Sequence, residues 1–248
     1  MTTEPCEVAH LAERGEPDRS PALLLPPDAW PHLDQLVTED DTPVDNIFSE
    51  KQQRLLTETL YTSWAGPGSG MPFLALANVG VFYAAEAPPL VPDVLLSVGV
   101  QAPPDVWKKT NRSYFIASYG KPPDVVVEIV SNRKGDEAGS KFADYASLRV
   151  PYYVIFDPSR RLKQGVLRVY QLKGARYAPL PAGKLAGVEL ELVLWNGSFA
   201  DLPATWLRWR DRTGTLLATG QEQRQRAEQE RQRAEQEQLR TERERQRA

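Results

Sequence analysis

The chain has 248 residues, 41% hydrophobic and 25% charged, enough for one sizeable globular domain with tails and too few for two large ones. Its single cysteine, Cys6, excludes disulfides within the chain and a metal site built from cysteines, which suits a reducing cytoplasm, and no apolar run is long enough for a bilayer. The net charge of −3 conceals an uneven spread: residues 1–50 carry 2 basic and 12 acidic side chains, 51–220 carry 20 and 14, and 221–248 carry 8 and 7. The basic middle suits a polyanionic partner, and equally an ordinary solvated surface.

Residues 1–40 form an acidic, proline-rich arm in which only Leu23 to Leu25 and Trp30 interrupt the polarity, a composition that builds no core of its own. The arm lacks the basic and apolar segments of a signal peptide, so the expected location is cytoplasmic, with no membrane partner. A domain over 41–220 follows. It opens with a helix from Ile47 to Trp64, capped by Asn46 or Ser49, with Phe48, Leu55, Leu56, Leu60 and Trp64 on one face. Glu50 falls in the first turn, where the helix dipole favours an acid.

Phe73 to Ala84 has strand character with a turn or bulge at Asn78 or Gly80, and residues 91–100 form a second apolar run with Asp93 near its start. The loop from Gln101 to Lys121 interleaves Lys108, Lys109, Arg112 and Lys121 with Trp107, Tyr114 and Tyr119. Cations beside aromatics suit phosphate contact and base stacking; the alternative is a surface loop whose aromatics plug the core.

Residues 122–141 organise the rest. Val125, Val126, Val127, Ile129 and Val130 make a β-branched run that reads as a strand covered on both faces, with Glu128 in its middle. A buried, unpaired carboxylate is costly, so Glu128 needs a metal ion, a basic side chain, or a wet edge position. Ser131 to Gly135 read as a polar turn in which Ser131 ends the strand or bonds a ligand, and Arg133 and Lys134 are available to nucleic acid. Asp136 then caps a helix from Glu137 to Arg149, with Phe142, Tyr145, Ala146 and Leu148 on its apolar face, and Tyr152 to Phe156 form another covered strand closed by Asp157. This strand–helix–strand order favours a parallel pair. If the helix packs back on the sheet, Lys141 points at Glu128; otherwise it pairs with Glu137 on a solvated face. Asp124 and Asp157 read as turn and cap acids.

Beyond Asp157 the pattern is β-rich: strands over 166–172, 175–180 and 187–195, then a hairpin around Arg212-Thr213-Gly214, as an extension of the sheet or a small lobe on the core. From Gln221 the heptad RQRAEQE occurs twice and continues loosely, with Ala227, Ala234, Thr241 and Ala248 at one position. Such a seam is thin for a coiled coil, so a charged helix about 40 Å long is expected, with self-association as the alternative.

The residues PD at 92–93, VVVEIVS at 125–131, Glu137 and Lys141, Tyr145, and VPYYVIFDP at 150–158 together resemble the Uma-type family within the PD-(D/E)XK, restriction-endonuclease-like superfamily, over about residues 40–220. The resemblance implies an α/β (α+β) fold: a mixed sheet flanked by helices, with the β-rich C-terminal part as an extension. It implies an endonuclease that uses Mg²⁺, or Mn²⁺, and acts on nucleic acid, DNA ahead of RNA. Asp93, Glu128 and the backbone carbonyl of Ile129 would hold the metal, Lys141 would do the work of the motif lysine, and Glu50 would match the acid on the first helix. Glu137 would fix Lys141. One departure matters: the archetypal motif has lysine two residues after the glutamate, where this chain has Val130, so Lys141 stands as a migrated equivalent. A homodimer would suit cutting both strands of a duplex. Two other classes stay open: a catalytically silent binding module on the same fold, and an assembly protein acting through its helical tail.

Overall fold

A computed structural model describes residues 46–68, 70–131 and 139–247. The acidic arm, the turn carrying Arg133 and Lys134, the cap at Asp136, and Glu137 lie outside the described residues.

Helix α1 spans Ile47–Ser63, and the Asn46 side chain accepts from the Ser49 N–H at 3.0 Å, satisfying one of the unpaired donors at its start. Its buried residues recur three and four apart, so one face packs inward. Strand β1 (Phe73–Ala77) ends where Asn78 turns left-handed at φ 52°, a conformation asparagine tolerates well. This is the turn expected at Asn78 or Gly80 within Phe73 to Ala84. Val81 and Phe82, as β2, leave the main sheet and pair in parallel with β4 (Tyr114–Phe115), which runs into the single turn α2 (Ile116–Tyr119).

The main sheet adds β3 (Val94–Val98), β5 (Val125–Ile129), β6 (Tyr152–Phe156), β7 (Leu167–Lys173) and β8 (Arg176–Pro179), in the order β1-β3-β5-β6-β7-β8. β5 and β6 are parallel and the other pairs antiparallel, as the strand–helix–strand order requires of the crossover pair. The crossover helix α3 is shorter than expected among the described residues, Ser140–Ser147, and cannot continue because Arg149 sits at φ 63°.

One face of the sheet packs on α1 and on a three-stranded sheet of β9 (Lys184–Leu185), β10 (Leu190–Phe199) and β11 (Leu202–Asp211). Gln52 ties α1 to that small sheet through both the N–H and the carbonyl of Leu207, each at 2.9 Å. The other face carries α3 and a group of aromatic rings, Phe142 meeting Tyr170 edge-on at 4.9 Å and Tyr145 lying 5.2 Å from Tyr153. This is the mixed sheet flanked by helices that the resemblance implies.

The C-terminal hairpin differs from expectation. Its long arms are β10 and β11, turning at Ala200 and Asp201 with φ of 48° and 62°, whereas the segment after Gly214 makes only the bridge between Arg210 and Leu216. Thr219 and Glu222 then form a reciprocal capping box that starts α4, Gly220–Arg247. Among the described residues no helix is long and apolar enough to cross a membrane.

Candidate active site

β3 and β5 pair with Val94 opposite Val127, so one further step along the same register sets Asp93 opposite Glu128. The strand period of two gives them neighbours on one face: Leu95 and Val126 both belong to the core beneath α3. The register puts the two acids at one end of adjacent central strands, but the Asp93 carboxylate turns to the Ile129 N–H and to Gln53 of α1, while Glu128 faces α3. β5 is third in a sheet of six, which removes the edge position from the choices open to Glu128.

Glu128 is 1% exposed. Its partners come from α3, where Lys141 and Tyr145, four residues apart, share a helical face. Lys141 Nζ donates to Oε2 at 2.8 Å and the Tyr145 hydroxyl donates to Oε1 at 3.0 Å. Burial, with the negative charge of Glu128 added to it, holds the Tyr145 phenol well above its ordinary pKa, so it stays a protonated donor through the neutral range. The Lys141 side chain keeps 31% exposure. It links the buried carboxylate to solvent.

Asp93 is held from the other side of the sheet. Its Oδ2 accepts the Ile129 N–H at 2.5 Å and its Oδ1 accepts Gln53 Nε2 at 3.1 Å. Gln53 in turn accepts from Asn78 Nδ2 at 3.0 Å, and the Asn78 N–H donates to the Asp93 carbonyl at 3.2 Å. The buried Gln53 amide thus holds the carboxylate, and the exposed Asn78 holds Gln53 and the Asp93 backbone, at the point where β1 ends.

The other residues singled out from the sequence fall in several places. Glu50 lies one turn before Gln53 on α1, exposed, with Oε1 3.4 Å from Arg54 Nε; the α1 side chain that touches Asp93 is Gln53. Ser131, just past β5, lines a cavity of about 480 Å³ with Ser49, Val130, Pro158 and Arg161. Lys108, Lys109 and Arg112 sit on the 101–113 loop, where Trp107 is 80% exposed and Arg112 Nε donates to the Trp107 carbonyl at 3.2 Å. Tyr114, by contrast, is fully buried. Lys121 is committed elsewhere: it donates to the Val98 carbonyl at 2.9 Å and to Asp124 at 2.5 Å, at the end of β3 remote from Asp93. Asp157 is buried and accepts the N–H groups of Arg161 and Leu162, the turn role expected of it. Arg133, Lys134 and Glu137 lie outside the described residues.

Tyr145 and Gln53 went unnoticed as site residues. The signal for Tyr145 is its spacing of four from Lys141; Gln53 carries none, since Ser49, Gln52 and Thr59 are buried on the same helix.

Among the described residues no three His, Cys, Asp or Glu side chains gather to hold a metal. Two opposed carboxylates, with the Ile129 carbonyl nearby, are nevertheless a donor set suited to Mg²⁺, which takes hard oxygen ligands and retains several waters. Comparison with curated proteins and with solved structures gave no match. The model of one family, Uma2, described as "Putative restriction endonuclease", matches residues 41–202, a span that runs from just before α1 to the start of β11 and takes in Asp93, Glu128, Lys141 and the strands and helix that carry them. By that match over most of its length, the chain belongs to the Uma2 family.

Proposed function

We propose that this chain is a divalent-metal-dependent nuclease that hydrolyses phosphodiester bonds in nucleic acid, DNA ahead of RNA. The observation that carries the reading is the buried Glu128 bonded to Lys141, with Asp93, just before β3, bonded to the N–H of the next residue, Ile129. Membership of a restriction-endonuclease family supports it.

In this reading Asp93, Glu128 and the Ile129 carbonyl hold Mg²⁺ or Mn²⁺, which supplies Lewis acidity toward a phosphoryl oxygen and makes water more acidic. The protein's own groups do the rest. Lys141 places an ammonium where charge grows on the attacked phosphate, its partial exposure setting it between Glu128 and solvent. Tyr145 keeps one oxygen of Glu128 oriented, and Gln53 does the same for Asp93. The loop with Lys108, Lys109 and Arg112 supplies cations for backbone phosphates, with Arg133 and Lys134 as further candidates; Glu50, one turn before Gln53 on α1, is an exposed acid beside Arg54.

The test is cleavage of single- and double-stranded DNA and RNA with Mg²⁺ or Mn²⁺, comparing the native chain with Glu128→Gln and Lys141→Ala, both checked for folding. Loss of cleavage in both variants supports the reading. Cleavage that survives Glu128→Gln overturns the site. Metal-independent, salt-sensitive binding without cleavage moves the chain to the binding-module class.

A further inference from the structure

From Gln223 onward every described residue of α4 is exposed, over roughly 36 Å of helix. Among the described residues the helix is anchored at its start, where Arg208 holds Glu222 and Gln223 bonds the end of α1. Helices this polar either stand alone on ion pairs along their own surface or pair with another helix. Two such pairs are formed, Arg231 with Glu235 and Arg240 with Glu244, both at 3.1 Å.

The order of charges says more than their number. A heptad can be laid on this helix in seven phases, and one of them does three things at once. It clears the a and d seam of charge from Gln225 through Gln229, Gln232 and Gln236 to Leu239, leaving Arg243 as the one charge that follows. It puts Glu at the g positions 228, 235 and 242. It puts Arg at the e positions 226, 233, 240 and 247. The alanine repeat, the feature most visible in the sequence, falls at the outward f position in this phase. With alanine on the seam, e and g would carry the same charge and two copies would repel.

We propose that α4 pairs with α4 of a second copy of this chain as a parallel, in-register coiled coil. Each g residue then meets the e residue five positions on in its partner, so Glu228 faces an Arg233, Glu235 an Arg240 and Glu242 an Arg247, in both directions. The antiparallel alternative sets g against g and e against e, Glu on Glu and Arg on Arg. Leu239, 55% exposed in the single chain, becomes the apolar layer of the seam, and the glutamines bond one another across it. Because the seam is mostly polar, the flanking charges decide partner and direction, and the dimer weakens as salt rises. The parallel order places both cores at the same end of the helix pair. On the nuclease reading, that brings two active sites together.

Sedimentation analysis of the full chain tests this without reference to cleavage. A concentration-dependent dimer at low salt, dissociating at high salt, is expected. Glu228→Arg/Glu235→Arg/Glu242→Arg puts Arg at both e and g and weakens the dimer at least roughly a hundredfold. Arg233→Glu/Arg240→Glu/Arg247→Glu does the same with Glu. Mixing the two variants restores a dimer containing one of each, which separates loss of pairing from loss of the helix. Leu239→Cys in a Cys6→Ser background crosslinks to itself on oxidation if the helices are parallel. A native chain that stays monomeric at low salt, charge variants that fail to recombine, or a Leu239→Cys dimer that does not crosslink overturns the proposal.

Discussion

Two of the buried charges among the described residues, Glu128 at 1% exposure and Arg208 at 3%, are surrounded very differently. Arg208 is met by Glu222 at 2.9 and 2.7 Å, the Leu217 carbonyl at 2.7 Å, and the face of Trp195 with its centroid 4.7 Å away, its Nε alone lacking a hydrogen-bond partner among the described residues. Glu222 in turn closes the capping box of α4. Every contact there stabilises the fold. Glu128 has Lys141 and Tyr145 as complements, yet the sheet register sets a second carboxylate, Asp93, opposite it. Like charges on neighbouring strands oppose folding, a cost that a bound cation would offset on the proposed reading.

The largest expected effect follows from that contrast. Glu128→Gln lowers cleavage by about a thousandfold, the scale set by losing several kcal/mol of metal-based stabilisation. In metal-free buffer the same variant is at least as thermally stable as the native chain, since it removes a like charge and leaves Lys141 able to reach water. Arg208→Ala behaves in the opposite way: cleavage is kept, while stability falls by roughly 3 kcal/mol because a buried pair is broken and Trp195 loses the cation over its ring. Urea unfolding of the two variants side by side measures the difference. If Glu128→Gln destabilised the fold as much as Arg208→Ala, the contrast between site and scaffold would be gone.

Much of this was legible in the sequence because a few patterns admit little ambiguity. A run of β-branched residues from Val125 to Val130 has no other good use than a central strand, and one acid inside it stands out. Tyr152 to Phe156 gave the next strand to the residue. What opposes Glu128 depends on strand order, a non-local property, so Asp93 could be suspected and not placed. Tyr145 is apolar over most of its surface, and its helical spacing describes that part; the hydroxyl that reaches Glu128 shows only in the spacing of four from Lys141. Asn196-Gly197-Ser198 has the composition of a turn, yet the strand runs through it, because the ring of Trp195 lies over Gly197 where a Cβ would stand.

Smaller effects sharpen the comparison on the side of the site. Tyr145→Phe removes one hydrogen bond to a charged acceptor, costing roughly 1–2 kcal/mol in stability and about tenfold in cleavage, with the loss in kcat more than in KM. Gln53→Ala releases Asp93 in the same manner. Glu50→Gln, one turn away and paired only with Arg54 at the surface, changes cleavage by about twofold or less. Steady-state kinetics on the three variants ranks them; an effect of Glu50→Gln as large as that of Gln53→Ala would move the first-helix acid into the site.

The smallest expected effect belongs to the scaffold and is a matter of pH. Burial by itself would raise the Glu222 carboxyl, but the hydrogen bond from Arg208, the N–H of Thr219 and the charge of Arg208 outweigh it and hold the pKa below its ordinary value. A carboxylate so depressed stabilises the folded state fully above its unfolded pKa, about 4.3, and that contribution is lost as pH falls through the lower folded value. Glu222→Gln should therefore melt below the native chain at neutral pH, by a modest margin since Glu222 is about a third exposed, and the two melting curves should converge as the solution becomes strongly acidic. A gap that persists in strong acid would mean that Glu222 acts there as a neutral hydrogen-bonding cap, and that Arg208 owes its burial to Leu217 and Trp195 more than to an ion pair.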